Sequence, residues 1–207
     1  MDFITQFPLT FGLIAANVVA SMIAFQSPQF RDQNLFVVGP ILKGGEVYRV
    51  VTSGFLHGGS LHLLANMVTL YYFGPPLERW LGGPGYLAVY FGALIGGGAW
   101  LLLEKRRILN YAALGASGAV SGVLIAFCLF EPFAMLGIFF IIPMPAFLFA
   151  ALFIGLSAYL SSNRPGGAGG IAHEAHLGGA VVGGFITVLL EPGVWGSFLK
   201  ELTSVFG

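Results

Sequence analysis

The side chains in this sequence that could carry out chemistry are one serine and one histidine, each set among small residues. The serine lies in Gly115-Ala116-Ser117-Gly118, and His176 follows Ala175. A serine is a weak nucleophile until an adjacent base takes its proton, and a neutral histidine suits that role. Taken alone, however, the tetrapeptide is more typical of a small-residue seam at which membrane helices pack.

Two further polar side chains, His62 and Asn66, lie four residues apart and therefore share one face of a predicted helix. Both can donate hydrogen bonds, and so can the backbone N–H of Ser117. Acyl transfer needs donors at the developing oxyanion, where the loss of one costs about 3 kcal/mol of transition-state stabilisation. We therefore interpret these residues as candidate oxyanion ligands.

The composition places this chemistry in a membrane. Of the 207 residues, 57% are hydrophobic and 9% are charged, whereas about 25% of the residues of a soluble protein are charged. The formal net charge is zero, so no basic face for nucleic acid is predicted. The single cysteine, Cys128, excludes an internal disulfide framework and a cysteine-based metal site. We predict an all-α integral membrane protein.

Apolar runs and helix breakers predict six membrane helices in one domain, residues 1–207. The predicted spans are about 8–25, 57–73, 84–103, 117–131, 145–160 and 171–190, and the second ends at Gly74-Pro75-Pro76. The fourth is too short for a full span, so it should begin within the bilayer and line a cavity. The connection 26–56 is long and rich in aromatic residues, which indicates an interfacial position. The break at Pro143 and Pro145 makes the fifth helix a candidate mobile element for substrate entry.

Glycines four residues apart predict how the fourth and sixth helices pack. Gly118 and Gly122 have this spacing, and so do Gly179 and Gly183. Small residues at such spacing allow two membrane helices to approach backbone to backbone. If the two seams face each other, the serine lies near the start of the sixth helix, beside the histidine.

In their order along the chain, these segments resemble those of the rhomboid intramembrane serine proteases. The similar segments are Tyr48-Arg49, Phe55-Leu56-His57, His62-Leu63-Leu64-Ala65-Asn66-Met67, Gly74-Pro75-Pro76-Leu77-Glu78-Arg79, Gly115-Ala116-Ser117-Gly118 and Ala175-His176-Leu177-Gly178-Gly179 with Gly183. The resemblance implies a six-transmembrane-helix rhomboid-like bundle. Its short fourth helix would carry the serine, and its first loop would be long and interfacial.

The resemblance also implies a role for each segment. Ser117 would be the nucleophile and His176 the general base of a dyad. The oxyanion donors would be His62, Asn66 and the Ser117 N–H. Structural support would come from Gly115, Gly118, His57, Gly179 and Gly183.

The implied activity is cleavage of peptide bonds in or near transmembrane segments, without a cofactor or a metal. The expected partners are single-span membrane proteins, with a locally unwound helix and a small residue before the cut, and the lipid bilayer. The oligomeric state is not predicted. The expected location is a bacterial inner membrane.

Two positions depart from the family pattern. Ser121 stands four residues after Ser117, where the family often has a tyrosine that stacks on the histidine. Ile171 stands where the family usually has a glycine before the histidine segment. Neither change removes a reacting group. Glu174 precedes the histidine by two residues and so lies on another helix face, which favours a dyad over a triad.

The basic residues conflict with the family topology, in which the amino terminus is cytosolic and the site opens outward. That topology puts seven basic residues outside and only Arg79 and Lys200 inside, against the positive-inside rule. The seven are Arg31, Lys43, Arg49, Lys105, Arg106, Arg107 and Arg164. We follow the resemblance for the arrangement of the helices.

Other classes of protein remain open at this point. A zinc protease of the HExxH type needs histidines four apart, and His173-Glu174-Ala175-His176 has them three apart. Together with His57 and His62, a four-histidine metal site is conceivable. The chain could also be a non-catalytic rhomboid-like protein that binds transmembrane helices, or a small transporter, although transporters usually show internal repeats.

Overall fold

Helices make up most of the computed structural model, which describes residues 3–138, 142–163 and 172–206. Three helices are long and apolar enough to cross a membrane: α2 (Pro8–Gln26), α6 (Ser60–Lys105) and α9 (His173–Leu190). Two shorter apolar helices, α7 (Ser117–Phe130) and α8 (Ala146–Asn163), lie between them. The chain is therefore an integral membrane protein with several apolar helices, and the count of six spans stays a prediction.

The second and third predicted helices form one long helix, α6, which is interrupted at Gly82. The sequence predicts that the second helix begins at about His57 and ends at Gly74-Pro75-Pro76, and both boundaries are wrong. The helix begins at Ser60, so His57 lies in the preceding loop, and it runs through both prolines to Gly82, where φ is 65°. Prolines are tolerated inside membrane helices where neighbouring groups satisfy the freed backbone. The left-handed glycine supplies the interruption instead.

The centre of the molecule is formed by α6, α7 and α9. Leu70 and Leu77 of the first segment of α6 (residues 60–81) are buried together with Tyr86 and Tyr90 of the second (residues 83–105). Ala119 of α7 joins the same cluster. The predicted short fourth helix is confirmed, because α7 has 14 residues. Its small residues let neighbouring helices approach closely.

The connection between α2 and α6 is folded into short helices. They are α3 (Pro28–Asn34), α4 (Val38–Gly44), α5 (Arg49–Thr52) and the 3-10 turn Ser53–Phe55, whereas the short helix α1 (Phe3–Gln6) precedes α2. Arg49 is buried and donates to the carbonyls of Asp32, at 2.8 Å, and Leu35, at 3.0 Å. It also donates to Glu46 at 2.6 Å, and this hydrogen bond lowers the pKa of that carboxyl. Arg49 thus fixes the shape of the connection.

A two-stranded ladder ties this connection to the loop before the serine. Strand β1 (Phe36–Val37) pairs antiparallel with β2 (Ala112–Ala113). The pairing continues through the N–H of Gly39, which donates to the carbonyl of Leu109 at 2.8 Å. The first loop and the loop that precedes α7 therefore share backbone hydrogen bonds.

Three buried polar contacts hold α2 against later parts of the chain. Glu78 accepts hydrogen bonds from the N–H and the hydroxyl of Thr10, at 2.8 and 2.7 Å, at the N-terminal end of α2. Asn17 donates to the Tyr90 hydroxyl at 3.1 Å. The third contact joins Ser21 to His57 at 2.8 Å. A carboxylate is favourable at a helix N-terminus, where the helix dipole is positive.

The remaining elements lie toward the C-terminus. Strands β3 (Met135–Ile138) and β4 (Ile142–Pro145) form a hairpin between α7 and α8, and α10 (Gly193–Phe206) follows α9. The proline break expected before the fifth helix is part of β4. Ile171 and Arg164 lie outside the described residues.

Candidate active site

Ser117 is the first residue of α7 and is half-buried. Gly115, two residues earlier, has φ of 133° and donates its N–H to the carbonyl of Ser53 at 3.0 Å. The positive φ requires a residue without a side chain, so the turn into α7 depends on glycine. The first N–H groups of a helix have no partner within the helix, and the dipole there is positive. This end of α7 is suited to receive a developing negative charge.

The imidazole of His62 lies directly against this turn. A β-carbon on Gly115 would lie 2.7 Å from Cε1 and 2.9 Å from Nε2 of His62. The absence of that carbon therefore allows a ring on α6 to reach the backbone that leads to Ser117. His62 is half-buried, and it is close to the serine turn, where a predicted oxyanion donor would have to stand.

His57 supports the His62 ring from the loop before α6. The two rings are perpendicular, with centroids 5.0 Å apart. The Ser21 hydroxyl donates to the carbonyl of Phe55 at 3.0 Å, so at 2.8 Å it accepts a hydrogen bond from Nδ1–H of His57. Burial, with a smaller effect of His62, lowers the pKa of His57 to about 4. A neutral, hydrogen-bonded His57 is placed for a supporting role.

Asn66 lies one turn after His62 on α6 and is buried. Its side-chain amide donates to the carbonyl of His62 at 3.2 Å. The two side chains therefore share a helix face, as the spacing predicts. One hydrogen of this NH2 group is used within the helix. The second hydrogen is left to donate to a substrate oxyanion.

The predicted seam between α7 and α9 is present. A β-carbon on Gly179 would overlap the carbonyl of Gly118, and one on Gly183 would overlap the α-carbon of Gly122. No side chain fits between these backbones, since real β-carbons do not approach other atoms so closely. The two helices consequently cross in direct backbone contact.

This contact brings the starts of the two helices together. A β-carbon on Gly118 would lie 3.2 Å from the carbonyl oxygen of Ala175, the residue before His176. A narrow cavity beside Ser117 is lined by Ser53, Gly118 and Ala175, among others. His176 is buried, and its Nε2 makes no hydrogen bond within the described part of the chain. Catalytic hydrogen bonds are often long before substrate binds.

Sequence reasoning missed the ring that contacts His176. Phe153 of α8 stacks on the imidazole, with centroids 5.7 Å apart and ring planes 24° apart. The position where the family often has a tyrosine is occupied by Ser121, which is buried and donates to the Ser117 carbonyl at 2.6 Å. His173 meets His176 edge-on at 5.5 Å. No local sequence pattern marks Phe153 among the many apolar residues of α8.

A buried ion pair was also missed. Lys105, at the end of α6, bonds Glu174 near the start of α9, with Nζ and Oε1 2.6 Å apart. Lys105 also lies over the ring of Tyr111, 5.5 Å from its centroid. Burial, together with the charge of Glu174, raises the pKa of Tyr111 to about 12. The Glu174 carboxylate is thus occupied by a lysine and not by a histidine.

The chain is similar to known proteins over most of its length. The family model of the Rhomboid domain matches residues 44–192. The "RHOMBOID-like protein 12, mitochondrial" of Arabidopsis thaliana is 30% identical over 187 residues, which cover 83% of this chain and 55% of that protein. The "Presenilin-associated rhomboid-like protein, mitochondrial" of Homo sapiens is 34% identical over 178 residues, 83% of this chain and 45% of that protein.

A third relative carries an activity in its name. The "Putative rhomboid protease YdcA" of Bacillus subtilis is 40% identical over 79 residues, which cover 38% of this chain and 39% of that protein. This chain spans about half, or less, of the length of the three relatives.

Proposed function

Because the chain belongs to the rhomboid family, we propose that it is an intramembrane serine endopeptidase in which Ser117 is the nucleophile and His176 the general base. The observation that carries this proposal is the direct backbone contact of Gly118 with Gly179. In the same region a β-carbon on Gly118 would lie 3.2 Å from the carbonyl oxygen of Ala175, which is the residue next to His176. A packing seam of this kind would serve a chemical purpose, because it brings a base toward a nucleophile.

The proposed reaction has two steps. His176 takes the proton of the Ser117 hydroxyl while Oγ attacks the scissile carbonyl, and it then gives that proton to the leaving amine. Water next attacks the acyl-enzyme, with His176 again as base. In both steps the oxyanion receives hydrogen bonds from the Ser117 N–H and from the side chains of His62 and Asn66.

The proposed substrates are single-span membrane proteins that are cut in or near the transmembrane segment. A protein buried in lipid meets such segments directly, and a locally unwound one exposes the peptide carbonyl that Ser117 would attack. The expectation of a bacterial inner membrane has no support from the relatives, two of which are named as mitochondrial. The proposal therefore names no compartment.

One observation favours a second candidate, a non-catalytic rhomboid-like protein that binds transmembrane helices. Nε2 of His176 makes no hydrogen bond within the described residues, so no Ser117 hydroxyl is bonded to it. The names of the two relatives that match most of the chain also contain "rhomboid-like" without naming a protease. The two candidates differ in one measurable property, the reactivity of Ser117.

That reactivity can be measured with a fluorophosphonate probe on the purified protein in detergent. We expect the wild type to be labelled, Ser117→Ala to be unlabelled because it lacks Oγ, and His176→Ala to be labelled on the order of 10⁴-fold more slowly. Ser60→Ala is a matched control, because Ser60 is also the first residue of a helix, and it should be labelled like the wild type. Labelling of Ser117→Ala would reject Ser117 as the nucleophile, and an unlabelled wild type would favour the binding protein.

A further inference from the structure

The imidazole of His176 is held by other rings. Phe153 of α8 covers one face of it in a stacked arrangement, at 5.7 Å between centroids, and His173 meets it edge-on at 5.5 Å. His173 is on the same helix as His176, so it adds no link to another element. Among the residues that the structure describes, Phe153 is thus the ring that joins the candidate base to a different helix.

Two polar side chains that could orient His176, those of Ser121 and Glu174, are engaged elsewhere. Ser121 on α7 has no ring and bonds the Ser117 carbonyl at 2.6 Å. Glu174 bonds Lys105 at 2.6 Å. Nε2 of His176 has no hydrogen-bond partner in the described part of the chain. With Nε2 unbonded, the stacked Phe153 ring is a contact from another helix that opposes rotation of the imidazole about its Cβ–Cγ bond.

The helix that carries Phe153 lies at the edge of the bundle. Its first half is anchored, because Ala146 and Ala150 pack against Leu124 and Cys128 of α7. Its outer side is exposed at Leu148, Leu152, Leu156 and Tyr159. Phe153 therefore links a peripheral helix to the centre of the site.

We propose that Phe153 is a positioning residue for His176, so that the placement of α8 sets the orientation of the general base. This inference rests on the proposed function. When α8 packs as it does here, the Phe153 ring holds the plane of the imidazole. When α8 moves away, the imidazole loses that stack and turns more freely. The activity of the dyad thereby depends on a helix that contributes no reacting group.

The test compares variants of the full-length protein in detergent. Phe153→Leu and Phe153→Met remove the ring while filling much of the space, and Phe153→Tyr keeps the ring. Phe149→Leu is the matched control, because Phe149 lies one turn earlier on α8 and packs against the α7 contact. The readouts are the fluorophosphonate labelling rate, kcat and KM for a transmembrane peptide, and the thermal unfolding midpoint.

We expect both ring-less variants to lower kcat and the labelling rate by about two- to tenfold, the worth of one aromatic contact, with KM unchanged. Phe153→Tyr should restore the wild-type rate, and Phe149→Leu should lower the unfolding midpoint without slowing labelling. Wild-type values of kcat and of the labelling rate in both ring-less variants would overturn this inference but not the proposed function. Equal slowing by Phe149→Leu would do the same. An unlabelled wild type would overturn the proposed function and this inference with it.

Discussion

Asn66 is the predicted oxyanion ligand whose contribution can be isolated most cleanly. Its amide bonds the His62 carbonyl on its own helix at 3.2 Å, so that bond does not join it to another element. We predict that Asn66→Ala lowers kcat by about 100-fold with little change in KM, because an oxyanion donor acts chiefly in the transition state. Steady-state kinetics on a transmembrane peptide would measure this.

Thr69→Ala is the control for this prediction. Thr69 is also on α6, and its hydroxyl makes the same kind of bond to the carbonyl four residues earlier, at 2.8 Å. Its removal should leave kcat within about twofold, since exposed surface changes are usually small. A kcat of Asn66→Ala equal to that of Thr69→Ala would show that Asn66 makes no hydrogen bond to the oxyanion.

Some of the site's residues can be predicted from sequence, and others cannot, for a physical reason. Ser117, His176 and His62 are rare polar residues in apolar segments, where a polar group is costly and needs a purpose. Phe153 is one of 20 phenylalanines. Its contact depends on the rotation and tilt of α8 against α9, which no spacing along the chain fixes. The roles of all these residues stay predictions.

Among the contacts between the described helices, the seam between α7 and α9 leaves the least space for an added side chain. A β-carbon on Gly179 would overlap the Gly118 backbone, which cannot move away as a flexible side chain can. We predict that Gly179→Ala destabilises the protein by about 1–3 kcal/mol, the usual cost of overpacking, and lowers the labelling rate of Ser117. Unfolding in detergent and labelling, measured on the same sample, would check both effects.

Gly12→Ala provides the matched comparison. Gly12 lies in α2, and a β-carbon there would meet no atom within 4 Å. The change should therefore be neutral or stabilise the helix by about 1 kcal/mol. If Gly179→Ala and Gly12→Ala have the same free energy of unfolding, the close backbone contact at the seam does not make Gly179 necessary for stability.

Helix boundaries were harder to predict than helix contacts. The pair Pro75-Pro76 normally ends a helix in water, but here Gly74 lets α2 pack close, with Thr10 Cγ2 2.6 Å from where its β-carbon would be. Tertiary packing thus overrides a local breaker. The helix α10 was missed, although Trp195, Phe198 and Leu202 have a helical spacing that indicates an amphipathic helix.

At the scale of the whole molecule, the Lys105–Glu174 pair joins the end of α6 to the start of α9. Both side chains are buried. We predict that Glu174→Gln destabilises the protein by about 3 kcal/mol or more, because it leaves the Lys105 charge buried without its partner. The double variant Lys105→Met with Glu174→Gln should recover much of the loss. Thermal unfolding of the wild type, of Glu174→Gln and Lys105→Met singly, and of the double variant forms a double-mutant cycle.

Glu104→Gln serves as the control for that cycle. Glu104 is the neighbour of Lys105 and is exposed, so its neutralisation should change stability by at most about 0.5 kcal/mol. Additive effects of the Lys105 and Glu174 changes would contradict a coupled pair. The sequence alone does not predict this pair, because its partners are 69 residues apart and lie in different helices.

The loops on the serine side carry most of the basic residues, which is why the absolute orientation in the membrane stays a prediction. Arg49 is fixed within the first loop, which pairs with the segment before α7. Lys105 is neutralised by Glu174. The positive-inside rule counts basic residues in short loops and is not a net-charge rule, so both residues still count against the family topology.

The polar contacts of α2 have a consequence for how the protein is made. Its partners for Thr10, Asn17 and Ser21 are Glu78, Tyr90 and His57, which all follow it in the chain. During synthesis, α2 leaves the ribosome well before any of them. The first helix must therefore wait in the lipid as a separate span, with its buried polar side chains unmatched, until about 70 further residues have been translated. Membrane insertion and tertiary assembly are, for this helix, two events separated in time.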